Sequence, residues 1–355
     1  MYKQWVKKYF IFGISFAICF ILFNFIIDPY GVFGHNCKVC HVKNHTASRR
    51  MTKVYYIKRL KPKTILIGTS RIGVINPKYV EHFTKNRVYN LSLSASSIKE
   101  QYEYIKFTIN KIKIKNLIWG IDFFSFNPDA KLPYSFSKKR LEKDFFLQDY
   151  IDSLLTIDAF LSSLATLKDN YLGKKQKVNF LNGQNYFLPH KACLEKYGIS
   201  CIDKKIKEGL KGYKKTLELY GSKSFKKPSS IDKNFIYIQK VVKLCKKKKV
   251  KLYLYISPIY YKTILLIKKQ KLLDTFKYME YRLFQIYRYK NFIYNTNIIL
   301  NKNNFWDNSH MREKVGNFII KNIFNKKKYR TIKLQNIDKL IKELEIYEKE
   351  NTYNR

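Results

Sequence analysis

The chain has 355 residues and a formal net charge of +44 at pH 7, from 70 Lys and Arg against 26 Asp and Glu. Such a length holds one or two domains with ample buried core. The lysines are scattered through every segment among Asn, Ile, Tyr and Phe. That scatter argues against a dedicated phosphate-binding stripe, so no nucleic-acid partner is expected.

The first element is an uncharged run, Tyr9 to Ile27, preceded by Lys3, Lys7 and Lys8. It is long enough to cross a bilayer as a helix, and the basic flank predicts a cytoplasmic N-terminus with everything after Asp28 on the far side of an inner membrane. The run ends in bulky Ile26-Ile27-Asp28-Pro29. These are not the small residues of a cleavage site, so residues 1–28 read as a stub and a retained anchor. No later segment is apolar enough to return.

Asp28-Pro29-Tyr30-Gly31 carries turn chemistry, and residues 29–62 read as a polar, basic connector. Within it Cys37-Lys-Val-Cys40-His41 matches a short haem-attachment pattern, and His45 extends it to a zinc-ligand spacing. The plainer reading is a disulfide or reduced loop cysteines beside exposed histidines, because no second metal cluster follows and no axial ligand can be nominated. No cofactor is expected. Of the six cysteines Cys19 lies in the anchor. Cys193 with Cys201, and Cys37 with Cys40, are the pairs open to an oxidising compartment, leaving Cys245 free.

From Lys63 short apolar runs alternate with helical stretches, the pattern of βαβ units and a parallel sheet. Thr64 to Gly68 is the first strand and empties into Thr69-Ser70-Arg71; Ile72 to Phe83 continues into a turn and a helix interrupted by Pro77. Arg87 to Leu91 is the second strand, followed by the small-residue loop Ser92 to Ser97 and a helix from Ile98 to Lys111. Asn116 to Ile121 is the third strand and ends at Asp122. Ligands of such sheets bind outside the carboxyl ends of the strands, where Ser70, the Ser94 loop and Asp122 all fall.

Residues 129–233 break the alternation and read as one mostly helical insertion that caps the site. Alternation resumes with a helix from Ile231 to Lys246, whose Lys243 to Lys251 end is a solvated basic run, and a strand from Val250 to Ser257. Tyr260 and Tyr261 are expected at the mouth of the site. A helix from Leu272 to Tyr289, a short strand from Phe292 to Asn295 and a helix from Glu313 to Phe324 complete a domain over residues 63–328. Beyond it, residues 329–355 place Ile337, Leu340, Ile341 and Leu344 on one stripe, an amphipathic helix that docks on its own domain or on a partner.

Phe305-Trp306-Asp307-Asn308-Ser309-His310 sets an acid three residues before a histidine, close enough for one turn to aim the carboxylate at the imidazole. With Ser70 upstream, this is a split Ser/His/Asp arrangement that needs no metal. The ordered set Gly68-Thr69-Ser70-Arg71, the Asn90 to Ser97 loop, Gly120-Ile121-Asp122 and Asp307-Asn308-Ser309-His310 with Gly316 resembles the SGNH/GDSL hydrolase superfamily. More closely it is similar to the membrane-anchored branch related to alginate O-acetylation proteins. The resemblance runs from about Pro29 through Phe324, with the middle insertion uncovered.

The resemblance implies an α/β three-layer sandwich with a mainly parallel sheet behind one transmembrane helix. It implies Ser70 as nucleophile, His310 as general base and Asp307 as orienting acid, with Ser94, Ala95 and Asp122 on the oxyanion or substrate side; Arg71 has two readings, a contact to a substrate carboxylate or phosphate and an ion pair within the fold. Two positions depart from the superfamily: Ser94-Ala95 stands where its oxyanion glycine falls, and Asp122 where its oxyanion asparagine falls. The implied activity is a periplasmic acyltransferase or esterase acting on O-acyl groups of a cell-envelope polysaccharide, with a multispanning membrane acyltransferase as a partner. The alternative is a non-catalytic glycan-binding or assembly protein that retains the fold.

Overall fold

The computed structural model describes residues 2–35, 40, 49–175, 177–325 and 335–353. They form two compact units, one from Met1–Lys61 with Pro133–Leu181 and one from Pro62–Leu132 with Asn182–Arg355. The stretch 129–233, expected as one insertion, is therefore divided between them: its first half completes a helical unit, its second half belongs with the sheet.

The helical unit opens with Tyr2–Ile27, a helix long and apolar enough to cross a membrane. Asp28 ends it in a left-handed turn, its carboxylate accepting from the Val32 and Gly34 N–H groups at 2.8 and 2.7 Å. The expected connector contains a second helix, Arg49–Leu60, with Met51, Val54, Tyr55 and Ile57 buried. Its Lys and Arg residues mask an apolar set at helical spacing, so composition alone reads it as a linker. The helix Lys138–Glu142 and the helix Leu147–Leu154 are pinned by Arg140, which donates from Nε and Nη2 to the two oxygens of Asp149, each at 2.7 Å. Leu147–Leu154 and Ile157–Tyr171 meet at a 60° bend and taken together are long and apolar enough for a membrane span, whereas no later segment was expected to be apolar enough. The break at residues 155–156 and the acids around it hide this pair from a reading that looks for one continuous run.

The α/β unit is built on five parallel strands: β1 (Thr64–Gly68), β2 (Val88–Ser92), β3 (Asn116–Ile121), β4 (Lys251–Ile256) and β5 (Lys290–Asn291), in the order β2-β1-β3-β4-β5. β1 and β3 are buried at every position, as their unbroken apolar sequences require of strands covered on both faces. From β1 the chain steps outward to β2, then crosses back to lay β3 on the other side of β1. The order thus reverses between β1 and β3, the switch point at which open α/β sheets hold their ligands. Gly68 is level with Ser92 on one side and Gly120 on the other, so three loops leave the sheet side by side.

The short strand expected at Phe292 to Asn295 is displaced: pairing covers only Lys290–Asn291, and Phe292 closes it by donating to the Ile256 carbonyl at 3.2 Å. The C-terminal helix Ile337–Tyr353 buries Ile337, Leu340, Ile341 and Leu344 within its own unit. Lys268 and Lys262 of the helix Tyr261–Lys269 pair with Glu345 and Glu348 at 2.6 and 3.1 Å, fixing it there.

Candidate active site

β1 delivers the serine. Thr69 is the cap of the short 3-10 helix Ser70–Val74, its hydroxyl accepting from the Arg71 N–H at 3.3 Å. Ser70 therefore has no capping duty. Its N–H stands at the first helical position, which has no partner within the helix. β1 and β3 approach closely here: a Cβ at Gly68 would lie 2.4 Å from the Gly120 carbonyl oxygen.

The other half of the site is a tight turn before the helix Glu313–Phe324. Trp306 donates to the His310 carbonyl at 2.7 Å and Phe305 bridges Met311, so residues 306–310 form a loop with a fixed base. Within it one carboxylate oxygen of Asp307 accepts from the Ser309 and His310 N–H groups, both at 2.7 Å. The other oxygen lies 2.7 Å from His310 Nδ1. His310 Nε2 in turn lies 2.7 Å from Ser70 Oγ, across 240 residues of sequence. Serine, histidine and acid thus form one continuous chain of hydrogen bonds at the switch point.

Asp307 is saturated with donors. Burial would raise its carboxyl pKa, but the charge of His310 and hydrogen bonds from His190 and His310 hold it well below the usual carboxylate range. It stays ionised, the state needed to stabilise an imidazolium.

Of the two readings of Arg71 the structure has the ion pair within the fold: it is turned to Asp122, itself expected on the oxyanion or substrate side, at 2.8 Å, with 2% and 1% of their side chains exposed. Arg71 also donates to Ser309 Oγ at 3.0 Å and to the Tyr213 hydroxyl at 3.1 Å, and its guanidinium lies over Phe124 at 5.0 Å. Thr69 donates a short hydrogen bond to the second Asp122 oxygen. Burial would lower the Arg71 pKa, but Asp122 raises it and prevails, so the guanidinium remains charged. Paired with Arg71 and capped by Thr69, Asp122 has its partners within the fold and joins the ends of β1 and β3.

Ala95 has a positive φ, 52°. This is the left-handed conformation that glycine takes most readily. Ser94 and Ala95 are both exposed, and the Ala95 N–H makes no hydrogen bond among the described residues.

Three residues missed in the sequence complete the surroundings. Phe187 and His190 begin the helix Leu188–Tyr197; the Phe187 ring lies 5.1 Å from that of His310, and His190 Nε2 lies 3.4 Å from Asp307. Tyr213, on the helix Ile199–Lys215, shares a 2.8 Å hydrogen bond with Ser309 and a ring contact with Phe124 at 6.0 Å. Gly209 on the same helix gives Asn308 room, since a Cβ there would fall 1.8 Å from its Oδ1. The only sequence marker of this group is Pro189, suited to the first turn of a helix. A disulfide joins Cys193 to Cys201 across the junction of these two helices, as one expected pairing had it.

Tyr260 and Tyr261, expected at the mouth of the site, are buried and line, with Tyr347, Asn297 and Asn301, a cleft of about 430 Å³; the Tyr260 backbone N–H donates to the Asn308 carbonyl at 3.3 Å. Of the haem or zinc candidates, Cys37, His41 and His45 lie outside the described residues, and Cys40 is disulfide-bonded. Among the described residues no cluster of three or more His, Cys, Asp or Glu is placed to hold a metal. Cys245 is free and buried, its thiol pushed up to about 12 by burial. No family model matches the chain, and no curated protein matches it.

Proposed function

We propose that this chain is a membrane-anchored, serine-dependent O-acyltransferase or esterase. The observation that carries the reading is the hydrogen-bonded series Ser70 Oγ, His310 Nε2, His310 Nδ1 and Asp307, with both links at 2.7 Å. Support for the SGNH-like sandwich comes from the all-parallel sheet with its switch point between β1 and β3, and from the left-handed backbone at Ala95.

In this reading His310 Nε2 takes the Ser70 proton as Oγ attacks the ester carbonyl carbon. The Ser70 and Ala95 N–H groups receive the negative charge on the carbonyl oxygen. Collapse expels the alcohol oxygen, which takes the proton from His310 and leaves an acyl-serine. A sugar hydroxyl or water then gives its proton to His310 and attacks the acyl carbon, and Ser70 recovers its proton as it leaves. Asp307 fixes the imidazole tautomer and stays ionised throughout.

The apolar helix Tyr2–Ile27, with Lys3, Lys7 and Lys8 at its start, supports single-pass anchoring with the N-terminus cytoplasmic and the α/β unit periplasmic. The resemblance to the alginate O-acetylation branch points to a cell-envelope polysaccharide as acceptor and a multispanning acyltransferase as donor partner. The test is incubation of the full-length protein in detergent with p-nitrophenyl acetate, followed by intact mass. An added acetyl group on the wild type that disappears in Ser70→Ala is expected. No adduct on either protein would overturn the enzyme reading in favour of a non-catalytic glycan-binding module.

A further inference from the structure

The bent pair Leu147–Leu154 and Ile157–Tyr171 is amphipathic in the wrong sense for a helix facing water. Its buried residues are small or polar: Asp149 and Ser153 on the first leg, Ala159, Ser163 and Thr166 on the second. Most of its exposed residues are large and apolar, Leu147, Ile151, Leu155, Ile157, Leu161 and Leu164, with Gln148, Asp158 and Lys168 the polar ones among them. The apolar ones are spaced so that each leg carries them on one stripe. Ile157 is 72% exposed. Small residues inside and Leu or Ile outside is the pattern of helices that pack on a neighbour within lipid.

The neighbour fixes the depth. The pair packs against the end of the helix Tyr2–Ile27, whose earlier residues are largely exposed. Phe160 stacks on Phe20 at 5.1 Å and meets Phe23 at 5.3 Å. Asn24, fully buried, donates to the Leu154 carbonyl at 3.0 Å and accepts from the Ser163 hydroxyl at 2.9 Å. Leu154 is the last residue before the bend, where a carbonyl loses its helical partner, and away from water that group must be satisfied by protein. Phe20 lies seven residues before the helix end. At the helical rise that is roughly 10 Å inside it. If that helix crosses the bilayer, whatever packs on Phe20 lies below the surface of the same leaflet.

We propose that this bent pair is a second membrane element, one that enters the leaflet near the Ile27 end of the anchor and does not cross. Its occupant is the lipid of the membrane that the anchor spans, met by the Leu and Ile stripe at the boundary between headgroups and acyl chains. The first leg has 8 residues and the second has 15 residues. At the helical rise neither leg is long enough to span a hydrocarbon core of about 30 Å. Asp152 and Asp158 flank the bend. A carboxylate is costly at the bilayer centre, which keeps the bend away from it.

The inference rests on the anchor reading and is independent of the serine chemistry. The test uses the full chain, in a Cys19→Ser, Cys245→Ser background, reconstituted into phosphatidylethanolamine and phosphatidylglycerol vesicles. Nitroxide labels are placed singly by Ile157→Cys, Leu161→Cys and Leu164→Cys, with Phe16→Cys as the anchor reference and Glu350→Cys as the aqueous one. Collision with oxygen exceeding collision with a water-soluble nickel chelate at all three positions, as at Phe16→Cys and reversed at Glu350→Cys, is expected. Nickel access like that at Glu350→Cys, with Phe16→Cys still in lipid, would overturn the inference while the anchor stands. Low access to both probes would replace lipid by a second protein surface and overturn it too. Nickel access at Phe16→Cys would remove the anchor and the inference together.

Discussion

Asp307 in the α/β unit and Asp149 in the helical unit are both buried carboxylates with both oxygens held by donors, yet the donors differ in kind. Asp149 faces the Arg140 guanidinium on both oxygens and the Tyr55 hydroxyl at 3.1 Å. A guanidinium never releases its proton, so this carboxylate can only hold three helices together. Asp307 faces two backbone N–H groups and the imidazoles of His310 and His190. Imidazoles do exchange protons. The same device, a desolvated acid surrounded by donors, faces a cation that keeps its proton in one unit and imidazoles able to exchange theirs in the other.

The comparison breaks first at the serine. Ser70→Ala should abolish acyl-enzyme formation, a loss on the order of 10⁶-fold in turnover, with the melting temperature little changed. Asp307→Asn keeps the shape but removes the charge that stabilises imidazolium and changes the tautomer preference, so turnover should fall by roughly 10⁴-fold. Steady-state hydrolysis of p-nitrophenyl acetate reads both. The Asp307 pKa is depressed in the fold. Its stabilising contribution is therefore present above about pH 4 and is lost only as pH falls through the lowered value. Any loss of activity at mildly acidic pH belongs to other groups.

Asp149→Asn should show the opposite profile. It leaves Arg140 buried without its partner, and breaking one side of such a pair costs about 3–5 kcal/mol. Thermal melting of the full chain in detergent should record the destabilisation. Acylation of Ser70, measured below the new melting transition, should match the wild type. An Asp149→Asn protein that melts normally but no longer acylates would erase the distinction between the two carboxylates.

The two units also differ in how much of them the sequence discloses. Thr64–Gly68, Asn116–Ile121 and Glu313–Phe324 have the bounds expected from their residues. In the two strands, dense apolar runs closed by Gly or Asp leave little choice of element. Ser70, Asp307 and His310 were readable because each sits at a strand end or in a short motif, and parallel topology brings those ends together. Arg49–Leu60 was not readable, since its lysines and arginines outweigh Met51, Val54 and Ile57 in any compositional view. His190 and Tyr213 lie in a segment without alternation, and only tertiary packing brings them to Asp307 and Ser309. The pairing of Arg71 with Asp122 follows from β1 and β3 being neighbours, yet nothing in either motif says that these side chains meet each other and not a substrate. The bent pair Leu147–Leu154 and Ile157–Tyr171 escaped because its apolar residues are interrupted and Asp149, Ser153, Ser163 and Thr166 face inward.

A third buried carboxylate sharpens the comparison, because it has neither kind of cation. Glu280, on the helix Leu273–Ile286, is 4% exposed and accepts from the Asn291 amide and, at 2.7 Å, from the Tyr294 hydroxyl. Burial pushes its pKa up to about 8, and the two neutral donors pull back only in part. An unfolded Glu releases its proton at about pH 4.3. Between there and about pH 8 the folded chain holds a proton that the unfolded chain has lost. Stability then falls as pH rises through this window and levels off above it. Glu280→Gln removes the titration and keeps an oxygen for Asn291 or Tyr294. Its melting temperature should lie within about a degree of wild type at about pH 5 and a few degrees above it at about pH 8. If the difference between the two proteins is the same at both pH values, Glu280 is ionised in the fold despite its burial, and neutral donors alone are enough to keep a buried acid charged here.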